Sequence, residues 1–148
     1  MTDTLYDTDF YQWTQAQAAH LRAKEWSALD VNNLAEEIES LGASDRRALR
    51  SHLMRLSQHL LKWRYQPQRR GESWQQSIDN ARLQIELILE DSPSLREFLP
   101  KAFAWAYARG RKEAAKETGL TLETFPETCP WSLDQLQDAD FLPEAGEP

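Results

Sequence analysis

A chain of 148 residues and 17.2 kDa, 41% hydrophobic and 28% charged, fits one domain able to bury about two thirds of its unfolded surface without disulfides or metal. A net charge of −7 and a mean hydropathy of −0.71 set the overall field against nucleic acid, and no apolar run approaches the roughly 18 to 20 residues of a membrane span. The first ten residues lack the basic and apolar regions of a signal peptide, so the cytoplasm is the expected compartment and no membrane is expected as a partner.

The first predicted helix covers residues 8–24, with Asp7 or Thr8 as N-cap and Phe10, Trp13, Gln17 and Leu21 near one face. A break over 27–30 leads to Asp30, an N-cap for a second helix over 31–41. Val31, Leu34, Ala35, Ile38 and Leu41 fall on one side of it, Glu36 and Glu39 on the other, and Glu37 at the border. Gly42 is expected to cap this helix in the left-handed conformation and Ser44 to cap the next, making the two antiparallel neighbours.

The third helix, over 45–65, places Leu49, Leu53, Leu56, Leu60 and Trp63 on one strip and Met54, Leu61 and Tyr65 on a second. Two strips suit the central member of a bundle. Pro67 and Gly71 make 66–72 a loop; Ser73 and Gln76 fit a capping box for a fourth helix carrying Trp74, Ile78, Ala81, Ile85 and Ile88. Ser92 and Pro93 start a fifth, in which Pro100 is expected to cause a kink or short break before Lys101.

Beyond Pro100, Phe103, Ala106, Tyr107, Gly110 and Ala114 share a face, with Gly110 permitting a close helix crossing and Gly119 capping the end. The tail keeps Phe125, Trp131, Leu133, Leu136, Phe141 and Leu142, and Ser132 with Gln135 forms a capping box for a short helix over 133–138. The predicted fold is all-α: an antiparallel helical bundle of about five helices with a short C-terminal helix folded back. It is read as a single domain over 1–148, with 5–143 structured and 144–148 a disordered tail.

Charge is segregated. Residues 1–45 hold nine acids and two bases, 72–148 fifteen acids and seven bases, and 46–71 eight Lys or Arg, two His and no acid. The basic stretch suggests an anion or nucleic-acid surface built from Arg47, Arg50, Lys62, Arg64, Arg69 and Arg70, with Trp63, Tyr65 and Trp74 for base stacking and Arg69 and Arg70 the freest charges. Against it stands internal pairing with Glu36, Glu37 and Glu39 on the preceding helix and Asp79, Glu86 and Glu90 on the following one.

Arg47 and His52 match the Arg-to-His spacing of a helical ribonuclease, His serving as acid or base and Arg as charge stabiliser. A metal site would draw on Glu36, Glu37, Glu39, His52 and His59; because His52 and His59 stand about 10 Å apart along a helix, it reduces to a carboxylate such as Glu37 meeting His59 alone. Cys129 has no basic neighbour in sequence to activate it and is expected to pack. No phosphate-cradling Gly loop or nucleophile turn occurs, and no cofactor is expected.

The segments LYDTDFYQW, NLAEEIESLG, HLLKWRYQP, SPSLREFLP, ETGL and CPWSLDQLQDADFLPE, in this order, resemble the bacterial domain of unknown function 29 family over residues 5–144. The resemblance implies a compact all-helical bacterial protein with no established activity, substrate or cofactor, so it assigns no residue a role. His59, Trp63 and Pro67 fall within its HLLKW and YQP words; His52 is outside the family pattern. The expected function is a non-catalytic, cytoplasmic protein-interaction or regulatory module that binds a protein partner or itself. The alternative is a nucleic-acid binder or helical ribonuclease using residues 46–71.

Overall fold

The computed structural model describes residues 4–144. They are all-α, with helices α1 (Leu5–Thr8), α2 (Phe10–Arg22), α3 (Val31–Tyr65), α4 (Glu72–Asp91), α5 (Leu99–Thr118) and α6 (Leu133–Gln137), joined by short 3-10 turns and without a strand among the described residues. The tail expected over 144–148 lies, apart from Glu144, outside the described residues. No described helix is long and apolar enough to cross a membrane.

The chain groups into two compact units, Met1–Ser44 and Asp45–Pro148. In the first, Asp9 rather than Asp7 or Thr8 caps α2, its side chain accepting from the Gln12 amide at 3.0 Å. The preceding residues coil into the separate turn α1. Asp30 fixes the start of α3: its carboxylate accepts from Trp13 Nε1 at 3.2 Å and Asn33 Nδ2 at 2.8 Å, and its amide donates to Gln17 Oε1 at 2.8 Å. Tyr6, Phe10 and Trp13 pack ring on ring beside this latch, with centroids 4.8 to 5.7 Å apart.

The expected break at Gly42 is absent. Residues 31–65 form one continuous helix, and Gly42 does not take the positive φ that a left-handed cap requires. A Gly inside a helix costs only about 1 kcal/mol relative to Ala, less than ending and restarting the hydrogen-bond ladder, and Ala43 beside it is the best helix former. The segment bearing Glu36, Glu37 and Glu39 is therefore the same helix as the basic stretch, not an antiparallel neighbour of it.

In the second unit α3 packs with α4 and α5 as a helical bundle. The core comprises Leu49, Leu53, Leu56, Leu60 and Leu61 from α3, Ile78, Ala81, Ile85 and Leu89 from α4, Ala102, Ala106 and Ala114 from α5, and Phe125, Trp131 and Leu136 from the tail. Gly110 makes the α3–α5 crossing: a Cβ there would lie 2.8 Å from Met54 O and 3.1 Å from Gln58 N. Gly119 ends α5 with φ +76°, as expected of a left-handed cap.

Two helix starts differ from expectation. The α4 helix begins at Glu72 with Gly71 at the cap, so Ser73 and Gln76 form no capping box. Ahead of Lys101 the 3-10 turn Pro93–Phe98 gives way to α5 at Leu99, so the expected interruption falls there and Pro100 sits in the first turn, where a missing N–H breaks no ladder bond. The Ser132–Gln135 box is present, with reciprocal bonds of 3.1 and 3.0 Å. Buried Arg82 holds α6 back onto α4, Nε donating to Leu136 O at 2.8 Å and an Nη to Gln135 O at 3.3 Å.

Candidate functional site: an apolar groove and a self-occupied basic strip

A unit of 44 residues has too little interior to bury all of its apolar side chains. Its inward positions are taken by Trp13 and Gln17, and the rest of both stripes stays open. Phe10, Trp13, Thr14, Gln17, Ala18 and Leu21 follow a strict three-four spacing along α2. Leu34, Glu37, Ile38 and Leu41 do the same on α3, and the two rows line one groove of about 380 Å³. Phe10, Leu21, Ile38 and Leu41 are 45 to 69% exposed.

One charged group enters that lining. The Glu37 carboxylate accepts a short bond from the Tyr6 hydroxyl. That bond and the nearby charge of Glu36 and Asp7, with desolvation, push the Tyr6 hydroxyl up to about 12. The raised folded-state value favours the native state below the ordinary value near 10 and loses that contribution as pH rises through about 12. Following tyrosinate absorbance, one phenol should ionise near 12 in the folded chain and shift back toward 10 in Glu37→Ala.

The basic strip is mostly consumed by the protein itself, and not through the expected carboxylates. Among the described residues only two ion pairs form, His20–Glu25 at 3.3 Å and Lys62–Glu117, and Glu117 is on α5, not on the segments thought to neutralise the stretch. Aromatic faces take five of the eight cations of the strip, Lys62 among them, and Arg70 also donates to backbone carbonyls. Arg46 lies 4.3 Å over Phe98, Arg50 4.9 Å over Trp105, Lys62 4.7 Å over Trp74, Arg64 5.1 Å over Tyr65 and Arg70 5.0 Å over Trp63.

Arg70, expected among the freest charges, donates Nε to Trp63 O at 2.7 Å and an Nη to Pro143 O at 3.4 Å. It docks the loop and the tail onto the end of α3. Trp63, Tyr65 and Trp74, the rings suited to stacking bases, each carry one of the chain's own cations on a face. Arg47, Arg55 and Arg69 are exposed.

Lys62 is 7% exposed, and its partner Glu117 is held below the ordinary carboxylate range, chiefly by the Lys62 hydrogen bond. A depressed folded-state value contributes stability at neutral pH that is lost as pH falls through the acid range below about 4.5. Urea midpoints taken from neutral to acid pH should therefore fall less steeply for Glu117→Gln than for the parent.

Arg47 and His52 are five residues apart on α3, about 140° around its axis, and do not share a face. Burial, assisted by Arg55, holds the half-buried His52 below its ordinary value, and burial does the same for His59. His59 Nδ1 bonds the Arg55 carbonyl at 2.9 Å, the common satisfied state of a histidine inside a helix bundle. Glu37 and His59 lie on one continuous helix rather than on facing helices, and among the described residues no group of three or more His, Cys, Asp or Glu is placed to hold a metal ion. Burial pushes the Cys129 thiol up to about 11, which keeps it protonated and inert at neutral pH.

The family model for the domain of unknown function DUF29 matches residues 5–142. The chain belongs to this family. No curated protein and no solved structure matches it. The family assigns this DUF29 chain no activity.

Two features of this DUF29 chain escaped the sequence reading. Phe10, Leu21, Ile38 and Leu41 are legible as stripe positions, but their spacing does not say that they stay open. The sign that they stay open was the run of only about 44 residues around them. Arg82 gave no signal, because nothing local marks a guanidinium that will cap a helix 54 residues away.

Proposed function

We propose that this DUF29 chain is a non-catalytic, cytoplasmic protein-interaction or regulatory module that seats a partner in the groove between α2 and the first turns of α3. The observation that carries the reading is the distribution of exposed apolar groups. Of eleven large hydrophobic side chains exposed among the described residues, eight lie in Met1–Ser44, and four of these line the groove. Contiguous open apolar surface of this kind marks interaction sites.

Binding is preferred over catalysis because the groove offers one carboxylate and otherwise apolar or neutral side chains, with no acid–base pair. It is preferred over nucleic-acid binding because the rings that would stack bases hold cations of the protein itself. The single free cysteine suits a reducing compartment.

A photo-crosslinking amino acid placed at Ile38 or Leu41, and separately at Leu83 on α4, tests the reading in cells. Adducts to one defined protein from the groove positions and not from Leu83 are expected. Equal labelling from all three, or none from the groove, overturns it.

A further inference from the structure

Resting on that reading of the groove, we infer that its occupant is a single amphipathic helix of a partner protein, apolar on one side and rich in Lys or Arg on its flanks. Shape supplies the first part. Two helices present rows at three-four spacing to the same opening, Phe10 to Leu21 along three turns of α2 and Leu34 to Leu41 along two turns of α3. Such paired rows form the holes that a third helix fills with knobs repeating every three or four residues. The occupant thus needs three to four turns, with large apolar residues on one seam.

Charge supplies the second part. Residues 1–44 carry eight acids against Arg22 and Lys24, a formal −6. No Lys or Arg lines the groove, Glu37 stands in its wall, and Glu36 and Glu39, exposed on the far side of the same turns of α3, add to the acidic field around it. Both basic residues of the unit sit at or beyond the C-terminal end of α2, leaving its other end acidic. A helix with basic flanks is drawn to such a surface, and an acidic one is repelled. The same argument disfavours a second copy, which would bring −6 against −6.

The test titrates the full-length chain with two labelled four-turn peptides followed by fluorescence anisotropy. Both carry Leu at the seam positions of two heptads; one has Lys on its flanks and the other Glu. The Lys peptide is expected to bind at least about tenfold more tightly than its Glu twin, with the preference shrinking as salt rises. Ile38→Ser with Leu41→Ser should weaken the Lys peptide by about tenfold or more, Glu36→Gln with Glu39→Gln should reduce the preference, and Leu83→Ser should leave both unchanged.

Equal binding of the two peptides, with loss in the groove variant, overturns the basic partner and leaves the groove as an interaction site. A concentration-dependent dimer in sedimentation that Ile38→Ser abolishes also overturns it, in favour of a second copy. Lys-peptide binding indifferent to the groove variant overturns the location. No binding of either peptide and no dimer overturns both this inference and the proposed function.

Discussion

Gly110→Val should destabilise the second unit by about 3 kcal/mol, read as a lower urea midpoint and a melting temperature lower by about 15 °C. The Cβ has nowhere to go: it would meet Met54 O at 2.8 Å, Ser57 Cβ at 3.0 Å and Gln58 N at 3.1 Å, two of which are backbone atoms that no rotamer change can move. Relief requires α3 and α5 to separate where Leu53, Leu56, Ala106 and Ala114 are fully packed. Gly42→Ala is the matched control. Its Cβ meets nothing within 4 Å and the position is mid-helix, so the substitution should stabilise by about 0.5 to 1 kcal/mol. A tolerated Gly110→Val would mean that the close crossing does not exist.

Trp13→Ala should unfold the first unit while leaving the core of the second intact. Trp13 is 3% exposed, packs against Tyr6 and Phe10, and donates its indole N–H to Asp30, so truncation removes the centre of the aromatic cluster and one bond of the latch at the start of α3. Losses of about 3 to 5 kcal/mol accompany such truncations, and a 44-residue unit has little reserve to absorb them. The core cluster around Leu56 and Phe125 draws all of its members from residue 49 onward. Hydrogen exchange should therefore show protection lost over residues 10–40 and kept in α4 and α5. Loss in step across both units would contradict that independence.

Helix identity was largely legible in the sequence because it depends on local period. The leucines from Leu49 to Leu60 and the isoleucines Ile78 and Ile85 are buried as their spacing required, and the caps at Gly119 and Ser132 form as their chemistry dictates. Gly42 is ambiguous in the sequence because glycine signals both a cap and a tolerated interior residue, and only the cost of ending a helix decides between them. Pro100 is legible as an interruption, and the structure puts it in the first turn of α5 after the 3-10 turn.

The candidate site was less legible because burial is a tertiary property. Ile38 and Leu53 both lie on apolar stripes of α3, set about 60° apart around its axis, yet one is 65% exposed and the other 1%. A stripe shows which residues could be covered; the packing opposite each decides which are. The fate of the basic strip was hidden likewise, since Lys62 finds its acid 55 residues away on α5 and the arginines settle on rings that no charge count includes.

The groove, rather than the basic strip, is the proposed binding surface. The most direct measurement is the affinity of the partner crosslinked at Ile38 for two variants of the full chain, Ile38→Asp with Leu41→Asp and Arg47→Ala with Arg55→Ala and Arg69→Ala. A loss of about tenfold or more is expected in the first and little change in the second. Retained binding by the groove variant, with loss in the arginine variant, would contradict it.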